Sequence, residues 1–373
     1  MNIVEFVAGS LRFADDAPTR VPDDGFVWIH LERAELEAEL THLQAIAQEL
    51  GGSTLLDVHV RDLLNEAHPS SYDGTSVYDR IVFRRLATME ELRSEPPHAM
   101  VPGVTPPGRI DSRAVGFAAF DRLLISVHPP GCEVATRLVE RMLNDARLSV
   151  DAAVARLRLP QGPADLALQM INAMVDGYLA LRKGLTRTLE EAQGALLRAN
   201  PHAGIWPLLM RSRQQLHLLQ ELCEEQQDAM QEWLESLREL PLSDYGTDAE
   251  QAQRRHDQLV ARARDVVEHV DRVLHHARRL EQSAETAVQI HFNAQGQRTN
   301  DIMRTLTAIT AVFLPLNLFT GFFGMNFDHL PLIHSGIGMW LALGALVLLA
   351  VGIVAWFWRR RYLSDARDSL ERF

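Results

Sequence analysis

LTAITAVFLPLNLFTGFFGM, from Leu306 to Met325, and MWLALGALVLLAVGIVAWFW, from Met339 to Trp358, are the two stretches that decide the fold. Neither stretch contains a charged residue, and each has the length that a helix needs to cross ~30 Å of hydrocarbon. Trp340, Trp356 and Trp358 lie near the ends of the second stretch, where interfacial aromatic residues are common. The sequence therefore predicts two transmembrane helices near the C-terminus.

The basic residues around these stretches predict the orientation of the protein. Arg298 and Arg304 precede the first stretch and 359–361 are all arginine, whereas the connector 326–338 has neither lysine nor arginine. Because basic residues stay on the cytoplasmic side, both termini are expected in the cytoplasm and the connector outside. The N-terminus has no secretion signal pattern. We expect a multi-pass protein of the bacterial inner membrane.

The composition excludes some classes of function. The chain has 373 residues and a formal net charge of −12, which argues against a nucleic-acid partner because phosphate binding needs a basic surface. The two cysteines are too few for a disulfide framework. No nucleophile elbow, phosphate loop or metal-ligand pair at helical spacing is found, so an enzyme is not expected.

The first 160 residues mix strand and helix patterns and predict a cytoplasmic α/β domain. The segment Ala34–Leu50 has helical spacing and is followed by Gly51 and Gly52, a common helix end. Helical spacing also returns between about Gly131 and Arg158. The predicted strands are Gly25–Leu31, Val77–Met89 and Ala114–Pro129.

The next segment, 161–305, predicts a cytoplasmic helical stalk and hairpin helices. Helices are expected over 163–199 and 206–240, and a third from 247 through the first span, ~115 Å long at 1.5 Å per residue. The third helix has apolar residues at alternating steps of four and three, a heptad seam that indicates packing against other helices. The seam consists of Val266, Val270, Val273, Ala277, Leu280, Ala284 and Ala287. We expect oligomerisation to bury it.

A short motif follows the first apolar stretch. Gly324-Met325-Asn326 stands at its outer end, before a short loop, one last apolar stretch and a basic tail at 359–373. In this setting the chain resembles the CorA family of magnesium and cobalt channels. The similarity extends to Thr299–Met303, Phe313–Leu316 and Arg264–His269. The resemblance implies an α+β fold in which a very long stalk helix continues into the first of two transmembrane helices, in a homopentameric funnel.

The resemblance also implies that the first span, 306–325, lines the pore, while 326–338 forms the outer loop and 339–358 the second span. The spacing supports such a lining face, because polar residues and glycines recur on one side of the helix at steps of three or four. Gly324, Met325 and Asn326 are the predicted selectivity filter. The predicted pore face consists of Asn300, Met303, Leu306, Thr310, Leu314, Asn317 and Gly321.

The chemistry of these residues suits a hydrated Mg2+. Because Mg2+ loses its water reluctantly, neutral amide oxygens of Asn326 could hydrogen-bond its hydration shell without removing it. Met303 and Leu306 would form an apolar collar that gates by dewetting. The membrane potential supplies about 4.6 kcal/mol per divalent ion at ~100 mV. No cofactor is expected besides Mg2+ as the transported and regulatory ion.

Regulation is also implied by the resemblance. Asp265 matches a stalk acid that, in the family, helps to bind cytoplasmic Mg2+ between subunits and to hold the pore closed. We expect Asp265, together with Glu268, to sense metal here. Glu90 and Glu91, which directly follow a predicted strand, are candidate partners from the α/β domain.

Two other functions fit the same sequence. A ZntB-like zinc transporter would use the same architecture, and His329 and His334 in the connector favour zinc. A membrane-tethered sensor or scaffold would use the long helix for oligomerisation alone. Such an anchor needs no polar face, so it predicts that Asn326→Ala is harmless.

Overall fold

A computed structural model describes the protein over residues 1–7, 10–14, 16, 18, 20–22, 25–88, 91, 110–148, 159–196, 205–239, 249–325 and 336–359. The chain divides into two compact units. The first comprises Met1–Ala192 and Trp206–Ala284, and the second comprises Gln193–Ile205 and Glu285–Phe373.

Seven strands form one mixed sheet in the first unit. They are β1 (Asn2–Val7), β2 (Ser10–Ala14), β3 (Gly25–Glu32), β4 (Ser71–Gly74), β5 (Tyr78–Leu86), β6 (Ser112–Phe120) and β7 (Leu123–His128). Their order is β2-β1-β3-β7-β6-β5-β4. The central pair β3–β7 is parallel, and the other pairs are antiparallel among the described residues. The strand predicted over Ala114–Pro129 is therefore wrong as a single element, because a turn at Asp121 and Arg122 divides it into β6 and β7.

The helices follow the predicted order. They are α1 (Arg33–Gly51), α2 (Asp57–Leu64), α3 (Val134–Leu148), α4 (Pro163–Leu196), α5 (Ile205–Glu239), α6 (Ala249–Phe323) and α7 (Gly336–Arg359). The α1 helix ends as predicted, because Gly52 has φ of 82° and only glycine takes this left-handed conformation freely. The α/β domain and the 75-residue helix α6 are therefore confirmed.

One face of the sheet carries the apolar core. Alternate residues of β3, including Val27, Ile29 and Leu31, pack with Leu43 of α1 and Leu63 of α2 in one buried cluster. This alternation places the residues between them on the opposite face.

The opposite face contains a buried polar chain. Trp28 Nε1 donates to Ser126 Oγ at 2.9 Å, and Ser126 Oγ lies 2.9 Å from Nε2 of His128. Burial is the main reason that the pKa of His128 is lowered to about 3, and the charges of His30 and Arg85 lower it further. The imidazole is therefore neutral, and its Nε2 can accept the hydrogen bond of Ser126.

The helix α5 is held against the β4–β5 hairpin by a second polar group. The Tyr72 hydroxyl donates to Asp79 Oδ1 at 2.8 Å, and Trp233 Nε1 donates to Asp79 Oδ2 at 3.1 Å. Ser236 Oγ lies 2.7 Å from the same tyrosine hydroxyl. Burial raises the pKa of Asp79, although these two donors oppose the rise.

The first part of α6 packs against α4 and α5 within one chain. His269 Nδ1 lies 3.0 Å from Asn172 Oδ1 of α4, and Gln220 Nε2 of α5 donates to Glu281 at 2.7 Å. In the same part of α6 the heptad seam is buried from Val266 to Ala284, and Ala287 is half-buried. The expectation that only another subunit can bury the seam is therefore wrong, because α4 and α5 cover it.

The second unit contains the apolar parts of α6 and α7. Among the described residues, α6 is the one helix long and apolar enough to cross a membrane, with a mean hydropathy of 1.7 in its most apolar window. A shorter apolar stretch, Trp340–Trp356, lies within the 24-residue α7. The predicted span 306–325 is thus helical up to Phe323, and 339–358 is helical throughout. Pro315 lies inside α6.

Candidate functional site

The predicted pore face is exposed along α6. Met303, Leu306 and Leu314 are 58%, 62% and 68% exposed. The polar residues and glycines of the face are exposed as well, namely Asn300, Thr310, Asn317, Gly321 and Gly324. The structure thus brings the predicted residues onto one open side of a membrane-length helix.

The other side of the same segment is partly covered. Ala308 is 5% exposed, and Ala311, Pro315 and Phe319 are half-buried. One face of α7 is half-buried as well, through Ala342, Leu346, Ala350 and Ile353. This pattern shows that one side of α6 and one side of α7 are partly covered, whereas the predicted pore face is open.

Threonine hydroxyls on the open side have fixed orientations. Thr310 Oγ1 donates to the carbonyl of Leu306 at 2.8 Å, and Thr307 Oγ1 donates to the carbonyl of Met303 at 2.7 Å. Because each hydroxyl hydrogen is used by the backbone, the oxygen lone pairs remain available as acceptors for water or a cation.

Thr307 also lies on the exposed side of α6, although it is not among the residues of the predicted pore face. It is exposed and lies four residues after Met303 and three before Thr310. Steps of four and three continue from Thr307 through Thr310, Leu314 and Asn317. A heptad count begun at Met303 would have found this threonine, whereas the prediction selected its neighbour Leu306.

The C-terminal end of α6 directly precedes the predicted filter. The helix ends at Phe323, where Gly324 N donates to the Thr320 carbonyl at 2.9 Å and Met325 N to the Phe322 carbonyl at 3.4 Å. A Cβ at Gly324 would lie 3.1 Å from the Thr320 carbonyl oxygen, a tight contact. The C-terminus of a helix carries partial negative charge, so this end favours a cation. Met325 is 47% exposed, and Asn326 lies outside the described residues.

The predicted regulatory acids lie in different surroundings. The Asp265 side chain is 56% exposed and lies 3.9 Å from His269 Nε2, and Glu268 is also exposed. Glu91 instead binds Arg85 through both carboxylate oxygens and accepts the Thr88 N–H at 2.6 Å. Glu90 lies outside the described residues, so its pairing with Asp265 stays a prediction.

The electrostatics of Glu91 follow from these contacts. Burial would raise the pKa of its carboxyl, but hydrogen bonds from Arg85 and Thr88 outweigh burial and lower the pKa below its ordinary value. Glu91 is thus an ionised partner of a buried arginine. The part of the chain that the structure describes contains no group of three or more histidine, cysteine or acidic side chains placed to hold a metal.

Comparison with known proteins gives a consistent result. A family model described as CorA-like Mg2+ transporter protein matches residues 23–361. The cobalt/magnesium transport protein CorA of Thermotoga maritima is 26% identical over 100 residues, 27% of this chain and 28% of that protein. The cobalt/magnesium transport protein CorA of Methanocaldococcus jannaschii is 34% identical over 73 residues, 20% of this chain and 23% of that protein. The aligned segments thus span less than a third of these relatives.

A solved structure has the same fold over nearly the whole chain. The complete structure of the CorA magnesium transporter from Methanocaldococcus jannaschii has a TM-score of 0.68 with this protein. The match covers 96% of this chain and 98% of that chain at 16% identity.

Proposed function

The chain belongs to the CorA-like Mg2+ transporter family, and from this premise we propose that it conducts divalent cations across a membrane along the open face of α6. The finer proposal is influx of Mg2+, with Co2+ also carried, across the bacterial inner membrane. The observation that supports transport is the row of exposed polar residues and glycines on α6, whose apolar part is long enough to span a membrane.

The open face requires other copies of the chain. Asn317 would be costly to place against lipid, where its carboxamide finds few partners. Five copies around an axis would instead turn these faces towards a water-filled channel. The oligomer is therefore proposed from the open face of α6 and not from the seam, which a single chain buries.

The groups on this face match an ion that keeps its water. Hydroxyl oxygens of Thr307 and Thr310 and the carboxamide of Asn317 are neutral acceptors and can bind water around the ion. Neutral groups hold a divalent cation more weakly than carboxylates would, and conduction needs weak successive sites. A potential of ~100 mV, about 2.3 kcal/mol per charge, drives influx without nucleotide hydrolysis.

The test is ion flux through the purified full chain in liposomes, with an imposed inside-negative potential and Mg2+, Co2+, Ni2+ or Zn2+ outside. Asn326→Ala is expected to abolish Mg2+ flux. Thr310→Val is expected to lower it several-fold, because it replaces a ring of acceptors by apolar groups. Thr305→Val is the matched control, since Thr305 makes the same bond to its own backbone, at 2.9 Å to Asp301, on the half-buried side.

The outcomes separate the possible functions. Flux of Zn2+ without Mg2+ would replace the magnesium proposal by the ZntB-like one. Absence of flux for every ion, or normal flux in both Asn326→Ala and Thr310→Val, would remove the channel proposal and favour a sensor or scaffold. Size-exclusion chromatography shows whether each variant assembles like the wild type.

A further inference from the structure

A cavity with no role in the proposed function lies between the last turn of α5 and the early turns of α6. Its volume is about 250 Å3. Arg238 lines it from α5, and His256, Asp257, Val260, Ala261 and Arg264 line it from α6. The spacing of the last five residues places them on neighbouring turns of one helix.

Two of the lining charges have no counter-ion among the described residues. Two neighbouring arginines of α6 are paired, Arg254 with Glu250 at 2.6 Å and Arg262 with Asp165. Arg238 and Arg264 form no ion pair within the described ranges. Asp257 is the acid at the cavity, and it accepts a hydrogen bond from Gln253 Nε2 at 2.8 Å. Among the described lining residues, two arginines therefore stand against one aspartate.

The geometry suits a small oxyanion. A guanidinium presents its N–H groups as a fork that matches two oxygens of a phosphate, and here two such groups come from two helices. Cavities that enclose whole drug-sized ligands measure about 300–1,000 Å3, so a cavity of about 250 Å3 suits a smaller ligand, and a single phosphate group fits within it. Val260 and Ala261 add apolar surface to the lining.

We propose that Arg238 and Arg264 bind one phosphate group in this cavity, either as inorganic phosphate or as the terminal phosphate of a nucleotide. His256 lies beside the same cavity and can add a ring N–H. The proposal does not depend on transport, because these residues belong to the first compact unit and the predicted pore face to the second.

Binding is measured on the full-length protein in detergent by isothermal titration at ~0.15 M salt, where unspecific attraction between exposed charges is screened. Inorganic phosphate is titrated first, and ATP is titrated separately without divalent cations. Saturable phosphate binding near one per chain is expected. Arg238→Ala and Arg264→Ala should each weaken it about 10-fold or more, because each removes hydrogen bonds between charged groups.

Two variants make the test specific. Arg238→Lys keeps the charge but loses the fork, so binding should fall between the wild type and Arg238→Ala. Arg255→Ala is the matched control, an exposed arginine of α6 that does not line the cavity, and should bind like the wild type. Circular dichroism confirms that the variants are folded.

The two sources of phosphate give different results. Binding of inorganic phosphate with exclusion of ATP supports a site for the free ion, and binding of both supports a site for a terminal phosphate. The proposal is overturned if no saturable binding of phosphate is seen, or if Arg255→Ala weakens it as much as Arg238→Ala and Arg264→Ala do.

Discussion

Removal of the Asp79 carboxylate is expected to loosen α5 from the β4–β5 hairpin. Asp79 accepts hydrogen bonds from Tyr72 and from the indole of Trp233, whose side chain is 0% exposed. In Asp79→Ala the tyrosine hydroxyl can still donate to Ser236 Oγ, 2.7 Å away. The Trp233 N–H has no such substitute among its contacts, so the substitution leaves one buried donor without an acceptor.

The size of the effect follows from this single donor. A buried donor without a partner costs about 1–3 kcal/mol. At 1.4 kcal/mol per factor of ten, local opening should become about 5- to 140-fold more frequent. Hydrogen–deuterium exchange of the full-length protein measures this directly, because exchange of protected amides reports local opening. Peptides from β4, β5 and the second half of α5 should exchange faster, while those from α1 should not change.

Asp79→Asn is the matched control for this experiment. Its carboxamide oxygen can accept from Trp233, its NH2 can donate to the Tyr72 oxygen, and Tyr72 can then donate to Ser236. Burial raises the pKa of Asp79, so its stabilising contribution is present below the ordinary value of 3.8 and is lost as pH rises through the raised pKa. Near pH 7 the asparagine variant should therefore be at least as protected as the wild type. Unchanged exchange in Asp79→Ala, or equal loss in both variants, would refute the argument.

Two further changes test other parts of the protein. The pKa of His128 is about 3 in the folded protein and 6.5 in the unfolded protein, so the unfolded state binds the proton first and the free energy of unfolding should fall as pH drops below 6.5. His128→Gln should make this fall with pH less steep, as measured by thermal unfolding followed by circular dichroism. An unchanged dependence of stability on pH would contradict the argument. Asp265→Ala should weaken inhibition of Mg2+ flux by Mg2+ inside the liposomes, because Asp265 is an exposed acid of α6 and can reach a metal. Glu285→Ala, at an exposed acid further along α6, is its control, and equal inhibition in the wild type and both variants would remove the regulatory role.

The sequence predicted the long elements well, because their patterns repeat over many residues. The expected helices over 163–199, 206–240 and 247–324 correspond to α4, α5 and α6 over their described residues. The short elements β1, β2, β4 and α2 were missed, since four to eight residues hold too few repeats to show a period. The division between β6 and β7 was missed because Asp121-Arg122 contains neither glycine nor proline, the usual signals of a turn.

The open face of α6 could be predicted for the same reason, since its side chains lie at regular steps along one helix. The surroundings of the other candidates depend on residues distant in sequence. Asp79 meets Trp233 154 positions later, and no local pattern indicates that pair. Glu91 shows the same limit of local patterns. The sequence places an acid after a strand, but only the structure shows that its carboxylate binds Arg85.

The seam shows why a periodic pattern does not identify its partner. Steps of four and three indicate that one side of α6 is covered, and the same pattern would arise from a second copy or from two helices of the same chain. The structure assigns the covered part, from Val266 to Ala284, to α4 and α5. Beyond Ala284, the described residues of α6 include one buried side chain, Ala308, although the apolar content of the helix increases. Lipid can cover the apolar residues of this later segment, and the Thr310 hydroxyl donates to its own helix, but lipid gives the Asn317 carboxamide no hydrogen-bond partner. The proposed oligomer therefore rests on Asn317 in the membrane segment and not on the heptad pattern.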